Sequence, residues 1–594
     1  MSKVNFEHLE TLRQAMSRVN VDAVIIPGTD PHQSEYPAEY WKFRDWITGF
    51  TGSNGTAVVT HEKAGLWTDS RYFLQAEQQL EGSGVTLFKE NVPGEPTITE
   101  WLAQVLPEDA VLALDGRLFS VVDVSQYERF CGENGFMLAT DFCPADNIWP
   151  DRPPRPAGQA YVHSEEFAGE DVESKIERVL DAVRQAGAES IIITALDEIA
   201  WTFNLRGTDV PFTPVVIAYA YLSERERCIF IDEDKVTDEV RRHLKAVNVR
   251  VRDYDDVVRF LERRSEHEVV LVDPNRVSDT LANAMPSQKI YAHSPIAAIK
   301  AVKNEVQIAG FRSAMERDGA ALVRTFMWLE RAVNNGERVN EMDVWKRAKT
   351  ERAQSDLYRG DSFAMIAGYK EHGAIVHYQA DEESASTLAP DGLLLVDTGA
   401  QYLDGTTDIT RTITLGNVAE QERHDYTLVL RGHLALARAQ FPVGTRGVQL
   451  DALARMPLWQ EGMAFWHGTG HGVGHFLGCH EGPHSIRTDL NATALQPGMV
   501  TSDEPGVYKT GQYGIRIENL LLCVEGVRTD DFGDFLRFET LTLFPYDRRL
   551  IDKAMLTVGE IDQINAYHRM VVERLAPHLS ADEQAWLSDK CREL

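Results

Sequence analysis

Acidic side chains occur in pairs in two segments with the residue pattern of β-hairpins. In the first segment, an apolar strand ends at Asp397, a turn region follows, and an alternating Thr/Ile strand contains Asp408. If the turn is centred between Tyr402 and Leu403, the two aspartates face each other with Cβ atoms about 4.5–5.5 Å apart. Like charges at that distance are destabilising unless a cation neutralises them. The segment therefore predicts either two turn-forming aspartates or half of a cation site.

The same arrangement recurs in the segment TSDEPGVYKTGQYGIRIENLLLCVE. Glu504 and Glu518 are equidistant from Gly511, so a hairpin centred on this glycine places them opposite each other. Two hairpins that each offer one carboxylate pair indicate a duplicated unit that closes on a shared site. Four carboxylates in one site require bound cations, and hard divalent ions favour oxygen ligands.

Histidines and glycines fill the segment between the two acidic hairpins, WHGTGHGVGHFLGCHEGPH. A single histidine is usually structural, whereas His467, His471 and His480 lie together between two acidic segments and predict a role in the site. The glycines at 468, 470, 472 and 474 fit neither the dinucleotide-binding nor the P-loop pattern. They are instead expected to let the backbone pass close to a bulky neighbour.

One short motif in this segment, His480-Glu481-Gly482-Pro483-His484, matches the H-E-x-x-H pattern of zinc proteases. That chemistry requires a helix, so that both histidines project from one face. Proline in the middle of the motif is incompatible with such a helix. The zinc-protease interpretation is therefore rejected.

The elements that must hold these residues follow from the apolar periodicity. VDAVIIP, GTAVVT and AVLALD are typical of buried strands, and an amphipathic helix is predicted from Arg71. A linker with four prolines extends from Ile148 to Gly158, after which a helix over 165–186 and the strand SIIITA restart the pattern. The front half therefore predicts two successive α/β units that end near residue 295.

A long helix is predicted to begin after Asn304, whose side chain can cap the first turn. From about Gly392 onward the sequence is rich in hairpins. The fold class is therefore a mixed α/β (α+β) one. The apolar stripe of the long helix consists of Ile308, Phe311, Met315, Leu322, Val323, Phe326 and Leu329.

Composition excludes several functional classes. The 594 residues carry a formal net charge of −31, which disfavours binding to nucleic acid and to anionic membranes. The N-terminus has no continuous apolar segment typical of a secretory signal, and no apolar run is long enough to span a bilayer. Six scattered cysteines without a C-x-x-C pair favour a reducing compartment. We therefore expect a soluble cytoplasmic protein.

The order of Asp397, Asp408, His471, Glu504 and Glu518 resembles that of the dinuclear metallopeptidases of the pita-bread fold, family M24. This family includes methionine aminopeptidase, prolidase and aminopeptidase P. The strings VDTGAQYLDGTTDITRT, HGTGHGVGHFL, HEGPH, DEPGVY and GIRIEN look like those of the cytosolic, three-domain Xaa-Pro aminopeptidases. FTGSNGTAVV, LDEIAWTFNLRGTDVPFTP and LRFETLTLFPYDRRLID extend the resemblance over nearly the whole chain.

The resemblance implies a division into three domains. Residues 1–155 and 156–302 would form two creatinase-like domains. Residues 303–594 would form the pita-bread catalytic domain, with a C-terminal extension over about 532–594.

The resemblance also assigns two divalent metal ions to five ligands. Asp408 and Glu518 would bridge both ions, Asp397 would complete one site, and His471 with Glu504 the other. This mostly oxygen ligand set suits manganese, although zinc, cobalt or iron would also bind. A hydroxide bridging the ions would attack the carbonyl of the N-terminal residue, and Glu504 would relay its proton to the leaving nitrogen of proline.

Further residues are implied to act around the metals. His377 and His480 would contact the substrate and stabilise the tetrahedral intermediate, and His467 and Arg71 would also contact the substrate. Two departures from the family pattern put the peptide preference in doubt: Trp466 replaces a usual glycine and Val507 a common aromatic residue. Two residues are implied to orient the ligands, namely Tyr508 and Arg516.

The implied function is hydrolysis of the bond between an N-terminal residue and a following proline in small peptides, by a homodimer. Three alternatives remain. The first is a prolidase-type Xaa-Pro dipeptidase, and the second is a creatinase-like hydrolase of a small amidino compound. The third is a metal-free pita-bread scaffold that binds peptides. The scaffold is disfavoured because all five ligand positions carry metal-binding residues.

Overall fold

The computed structural model describes residues 2–594, which divide into two compact units. The first unit contains the residues up to 164 together with 170–296, and the second contains 165–169 and 297–594. Within the described residues, no helix combines the length and the apolar character needed to cross a bilayer. All six cysteines are free thiols.

Two six-stranded sheets with the same topology form the framework of the first unit. Their strand orders are β4-β3-β2-β1-β5-β6 and β12-β11-β10-β8-β13-β14, and a two-stranded ladder joins β7 to β9. In each large sheet, two antiparallel pairings are flanked by parallel ones. The strands are β1 (Ala23–Ile26), β2 (Thr56–Thr60), β3 (Ala64–Thr68), β4 (Thr86–Lys89), β5 (Val111–Ala113), β6 (Met137–Ala139), β7 (Tyr161–Val162), β8 (Ser190–Ile193), β9 (Leu205–Arg206), β10 (Tyr219–Ser223), β11 (Arg227–Phe230), β12 (Arg250–Arg252), β13 (Val269–Val272) and β14 (Gln288–Tyr291).

Helices cover these sheets, so the central strands are buried on both faces and consist of continuous apolar residues. Of the helices that begin before residue 300, α7 belongs to the second unit and α13 crosses into it. They are α1 (Ser2–Arg18), α2 (Phe43–Thr48), α3 (Phe73–Gln79), α4 (Ile98–Val105), α5 (Val121–Asn134), α6 (Ala145–Ile148), α7 (Glu165–Ala168), α8 (Val172–Gln185), α9 (Leu196–Thr202), α10 (Asp238–Ala246), α11 (Val257–Glu262), α12 (Asp279–Ala284) and α13 (Pro295–Ala301).

Most predictions for this half are confirmed, and one is wrong. The three predicted strands are β1, β2 and β5, the strand SIIITA is β8, and the proline-rich linker has no helix or strand over 151–159. The helix predicted over 165–186 is two helices. Gly169 adopts φ +69°, which ends α7, and the Asp171 side chain then accepts a hydrogen bond from the Ser174 backbone to cap α8. The three-domain division itself stays a prediction.

The second unit is built from small sheets around long helices. Its strand orders are β15-β18-β19, β16-β17-β20 and β21-β28-β27-β24, with the pairs β22-β23 and β25-β26. The strands are β15 (Tyr358–Asp361), β16 (Ile366–Tyr369), β17 (Leu393–Thr398), β18 (Ala400–Tyr402), β19 (Gly405–Thr406), β20 (Ile409–Thr414), β21 (Gln440–Pro442), β22 (Gly470–His471), β23 (Ser485–Ile486), β24 (Val500–Asp503), β25 (Gly506–Lys509), β26 (Tyr513–Arg516), β27 (Asn519–Thr529) and β28 (Gly533–Thr540).

The predicted long helix is α14, and Asn304 caps it by accepting a hydrogen bond from the Gln307 backbone. Its apolar stripe packs into the main core of this unit, together with strands β17 and β27. The helices are α14 (Glu305–Asn334), α15 (Glu341–Arg352), α16 (Glu420–Ala437), α17 (Gly447–Gln460), α18 (Val558–Leu575) and α19 (Ala581–Lys590).

The aspartate hairpin, residues 393–414, has a different register from the predicted one. Asp397 pairs with Thr410, and Tyr402 pairs with Gly405. The turn is therefore centred on Leu403–Asp404, and a one-residue shift of its centre displaces the opposing strand by two residues. Asp408 is consequently a diagonal rather than a direct neighbour of Asp397, but it stays on the same face because side chains alternate with period two.

The glutamate hairpin, residues 500–522, has the predicted register. Asp503 pairs with Asn519, and Gly506 pairs with Arg516. Both pairings share the centre at Gly511, which adopts φ +73° in the turn. Glu504 and Glu518 therefore lie opposite each other, as expected.

Candidate metal centre

Asp408, His471 and Glu518 form the centre of the candidate site. Each offers one ligand atom, and these three atoms lie within 4.8 Å of one another. The Nε2 atom of His471 is 3.4 Å from Asp408 Oδ2. Both carboxylates are buried, with 3% and 1% exposure for Asp408 and Glu518. Asp408 directly precedes β20, His471 lies in β22 and Glu518 directly precedes β27, so three separate parts of the sequence converge.

The two remaining predicted ligands flank this group. Glu504 Oε1 lies 3.6 Å from His471 Nε2. Asp397 interacts with Asp408 electrostatically, and its Oδ2 accepts a hydrogen bond of 2.6 Å from the Arg516 guanidinium. The structure therefore brings together the five residues that the sequence singled out.

Each of the four carboxylates accepts a hydrogen bond from a neighbouring side chain. The donors to the two glutamates are hydroxyls, and the donors to the two aspartates are a guanidinium and a thiol. Sequence reasoning found only the guanidinium. The other three donors lie within the segments that it singled out, but their side chains were not assigned a role. The pairs are Arg516 to Asp397 at 2.6 Å, Cys479 to Asp408 at 3.2 Å, Ser502 to Glu504 at 3.3 Å and Thr410 to Glu518 at 2.7 Å.

Burial and mutual repulsion shift the ionisation of the cluster. Burial, reinforced by the neighbouring carboxylates, raises the pKa of Glu518 well above its ordinary value. Burial also raises the pKa of Glu504 to about 7. For His471, burial lowers the pKa, but the contact with Asp408 and the charge of Glu504 outweigh it and raise the pKa to about 9. The protein alone thus retains protons that a bound cation would displace.

The donor set fits divalent cations. The buried Oδ1 atom of Asp397 has no hydrogen-bond partner among the described residues, although Arg516 holds its other oxygen. A buried carboxylate oxygen without a partner is costly, so a cation next to it would be stabilising. Four carboxylates with one imidazole form an oxygen-rich set for a hard or borderline divalent ion.

Three of the four glycines near His471 allow close packing, as predicted, whereas a Cβ at Gly468 would meet no atom closer than 3.5 Å. A Cβ added at Gly470 would overlap the carbonyl oxygen of Ser502, and one at Gly472 would overlap that of Glu481. A Cβ at Gly474 would overlap the carboxylate of Glu481. The segment that carries His471 therefore fits only with glycine at these positions.

Of the accessory residues, Tyr508 links Arg516, which holds Asp397, to His467. Its hydroxyl accepts a hydrogen bond of 2.8 Å from Arg516 and lies 2.8 Å from His467 Nε2. The His480 ring meets that of His471 edge-on, with centroids 4.4 Å apart. His377 follows Val376, whose carbonyl oxygen lies 3.4 Å from the Arg516 guanidinium.

The two sequence departures differ in environment. Trp466 is 82% exposed, whereas Val507 is buried in strand β25. The H-E-x-x-H segment is not helical, so the rejection of the zinc-protease interpretation is confirmed.

Models of four protein families match the chain. The metallopeptidase family M24 matches residues 309–525, and the C-terminal region of M24 peptidases matches 534–594. Two creatinase/prolidase N-terminal domain models match residues 8–143 and 151–307. Aminopeptidase P2 of Arabidopsis thaliana is 40% identical over 99% of this chain and 88% of its own length. The chain belongs to metallopeptidase family M24.

Other relatives of this M24 chain are equally complete. A probable Xaa-Pro aminopeptidase P of Aspergillus niger is 39% identical over 98% of this chain and 97% of its own length. A solved X-prolyl aminopeptidase from Caenorhabditis elegans, described as a cytosolic enzyme with a di-nuclear active site, has a TM-score of 0.96 and 34% identity. It covers 99% of this chain, and this chain covers 100% of it. The expected fold, two creatinase-type domains before a pita-bread catalytic domain, is confirmed.

Arg71 lies in the first unit of this M24 chain. Its guanidinium donates to both carboxylate oxygens of Asp69, at 2.9 and 2.7 Å, and burial is partial for both side chains. This bidentate pairing fixes the orientation of the guanidinium. Its role in substrate binding stays a prediction.

A buried arginine, Arg411, supports the metal ligands from behind. Its guanidinium donates 2.6 Å to the backbone oxygen of Glu518 and 2.8 Å to the Asn519 side chain. It also donates 2.7 Å to the backbone oxygen of Phe544 and 2.9 Å to the Tyr567 hydroxyl. The C-terminal region is thus bonded to the strand end that presents Glu518.

Proposed function

We propose that this protein is a metal-dependent Xaa-Pro aminopeptidase, which releases the N-terminal residue from peptides with proline in the second position. The observation that carries the proposal is the buried group of Asp408, His471 and Glu518, with Asp397 and Glu504 beside it. Full-length similarity to proteins named aminopeptidase P, and to an X-prolyl aminopeptidase described as di-nuclear, supports it.

In this proposal, five side chains would hold two divalent cations, namely those of Asp397, Asp408, His471, Glu504 and Glu518. When bound, the ions would supply Lewis-acid activation of water and of the scissile carbonyl. We propose manganese as the metal because four of the five ligands are carboxylates, and zinc or cobalt are the alternatives to test.

Glu504 is proposed to move the proton of the reaction. Its carboxylate lies 3.6 Å from His471 Nε2, at the candidate centre, and a carboxylate so placed can accept a proton and return it. Ser502 donates a hydrogen bond to its Oε1 atom at 3.3 Å and so restricts its rotamer. The proton would go to the proline nitrogen, which has no N–H in the peptide and must be protonated to leave.

The histidines are proposed to hold the peptide. His480 stands beside His471, where its ring can donate to a carbonyl oxygen that gains charge in the transition state. His467, oriented by the Tyr508 hydroxyl at 2.8 Å, is proposed to line the cleft. His377 and Arg71 complete the proposed set of substrate contacts.

We further propose that the protein is a cytoplasmic homodimer with domains over residues 1–155, 156–302 and 303–594. The C. elegans X-prolyl aminopeptidase is described as cytosolic, which supports the location. Size-exclusion chromatography with light scattering tests the dimer, and a monomer mass at micromolar concentration would contradict it.

The decisive experiment measures release of free arginine from an Arg-Pro-Pro-headed peptide, after metal removal and after addition of manganese. An Arg-Ala-Ala-headed peptide of equal length is the control. We expect manganese-dependent release from the first peptide only.

A prolidase-type enzyme would instead cleave the dipeptide Arg-Pro and spare the longer peptide. A creatinase-like hydrolase or a metal-free scaffold would release no arginine from either, and the scaffold would also fail to retain manganese. Each alternative therefore has its own outcome in the same assay.

A further inference from the structure

Three consecutive residues, Cys479 to Glu481, each contact a different partner. The Cys479 thiol donates to Asp408 Oδ2 at 3.2 Å, and the His480 ring packs edge-on against His471 at 4.4 Å. The Glu481 carboxylate forms an ion pair of 2.8 Å with Lys300. The first two contacts reach the candidate metal centre, and the third joins the loop to α13.

Glu481 lies among buried cations. Its carboxylate and the amines of Lys300 and Lys303 have side-chain exposures of 3%, 2% and 1%. Lys303 lies 3.6 Å from the same carboxylate oxygen and also donates to backbone oxygens at the end of α13. A charge buried to this extent is strongly destabilising once its partner is removed.

The surrounding backbone leaves Glu481 no alternative position. Its N–H donates to the carbonyl oxygen of Gly472 at 2.8 Å, next to His471. Its carboxylate occupies the space that a side chain at Gly474 would need. The loop is therefore fixed on both sides of His480, by the thiol contact before it and by the ion pair after it.

We propose that Glu481, paired with Lys300, is a positioning residue that holds His480 in its catalytic orientation against the metal carboxylates. This inference rests on the proposed function. The ion pair acts through the loop of Cys479 and His480. A displacement of about 1 Å in such a loop is enough to cost about 10²-fold in rate.

The ion pair is expected to fix one conformation of the loop rather than to add to the free energy of unfolding. Replacing a buried ion pair with well-packed apolar residues is often neutral or favourable for stability. An apolar side chain at position 481 would fill the same volume but would not be drawn toward Lys300. The ion pair therefore fixes the orientation of the preceding residue, His480.

The test compares Glu481→Ala with Glu481→Gln, both loaded with manganese, on the Arg-Pro-Pro-headed peptide. The alanine variant is expected to lose about 10–100-fold in kcat with KM within about threefold, because an interaction made mainly in the transition state is lost. The glutamine variant keeps the volume and a carbonyl oxygen beside Lys300 but loses the charge, and it is expected to recover part of kcat. Metal content by mass spectrometry should equal that of the wild type in both.

A second readout does not depend on activity. Loosening the loop should expose the buried Cys479 thiol, so iodoacetamide should modify it at least about tenfold faster in Glu481→Ala than in the wild type. Cys523 and Cys591, which are buried elsewhere in the same unit, serve as internal references.

The matched control is Glu560→Ala, which removes a buried carboxylate that pairs with Arg431 at 3.2 Å. It should lower the unfolding temperature with kcat and Cys479 reactivity unchanged. Lys300→Met should reproduce the effect of Glu481→Ala, and the double variant should be no worse than either single one.

The inference is overturned if folded, metal-loaded Glu481→Ala keeps wild-type kcat, or if metal content falls in parallel with activity. A wild-type enzyme that does not cleave before proline refutes the proposed function instead, and the alkylation rates still report whether Glu481 fixes the loop.

Discussion

The aspartate hairpin and the glutamate hairpin present the same chemistry through different geometry. In the glutamate hairpin, Glu504 and Glu518 are opposed across a ladder whose turn is centred on Gly511. In the aspartate hairpin, Asp397 and Asp408 are diagonal neighbours because the turn lies at Leu403–Asp404. The difference teaches that carboxylates can share a site without a shared register, provided that they remain on one face of the sheet.

The hairpins also differ in how their carboxylates are held. The hydroxyls of Ser502 and Thr410 donate hydrogen bonds to the two glutamates. The Arg516 guanidinium and the Cys479 thiol donate to the two aspartates. Arg516 belongs to the glutamate hairpin and donates to Asp397, while Thr410 belongs to the aspartate hairpin and donates to Glu518. Each hairpin therefore orients a candidate ligand carried by the other hairpin. A substitution that disorders one hairpin is expected to weaken metal binding by both.

The largest effect is expected from Asp408→Asn, which removes a ligand proposed to contact both ions. Activity should fall by about 10⁴-fold, the scale on which members of one catalytic unit fail. The measurement is kcat with metal content by mass spectrometry.

Asp503→Asn is the matched control, because Asp503 is a buried carboxylate beside Glu504 that pairs with His433 at 3.1 Å. It should retain its metal and most of its activity. Near-normal turnover of Asp408→Asn at saturating manganese would refute the assignment of this ligand.

Arg516→Met should have the next largest effect, because it releases Asp397 and removes the donor to Tyr508. Metal affinity is expected to fall by about 10–100-fold, as is common when a group that orients a ligand is lost. Titration of the metal-free protein with manganese in a calorimeter measures it. Arg516→Lys keeps the charge without the planar fork, and equal loss in both variants would show that orientation, not charge, matters.

The stability of the metal-free protein should fall as pH rises, whereas the stabilisation added by bound metal should grow. Folding raises the pKa of Glu504 to about 7 and that of His471 to about 9, so both stabilise the fold when protonated. This stabilisation is present at low pH and is lost as pH rises from about 4.5 to about 9. Metal ions need the deprotonated ligands, so their stabilising effect should grow over the same range.

Thermal unfolding with and without manganese, at pH steps between 5 and 9, tests this opposition. The two unfolding temperatures should diverge with increasing pH by several degrees, on the order expected for about 1–2 kcal/mol. Parallel curves would mean that the metal does not compete with protons for these side chains.

The smallest effects should separate the donors to the carboxylates of Glu518 and Asp408. Thr410→Val removes a hydroxyl donor to Glu518 and should weaken metal binding by about tenfold, which corresponds to about 1.4 kcal/mol for a hydrogen bond to a charged group. Cys479→Ala removes a weaker thiol donor to Asp408 and should cost about twofold. Competitive metal titration resolves both, and a reversed order would identify Asp408 as the more dependent ligand.

Residue type and spacing predicted which side chains cluster, because carboxylate pairs and a glycine-flanked histidine are visible in sequence. The register of the glutamate hairpin was predictable because Gly511 marks its turn. The aspartate hairpin offered no such marker at Leu403–Asp404, so its centre was misplaced by one residue.

Contacts that join distant segments were not predictable. Lys300 and Glu481 are paired across 181 positions of sequence, and Cys479 is 71 positions from Asp408. Nothing about a lysine before a long helix indicates its partner, because only folding decides which buried charges meet. The helix break at Gly169 was missed for a simpler reason, since the apolar spacing continues across it.

The contacts of Arg411 have a consequence for how the protein is made. This arginine, three residues after Asp408, finds partners at Phe544 and Tyr567, near the far end of the chain. A ribosome must therefore have translated through Tyr567 before the support behind Glu518 is complete. The strand end that presents Glu518 would therefore acquire its full hydrogen bonding only late in synthesis, when α18 has formed.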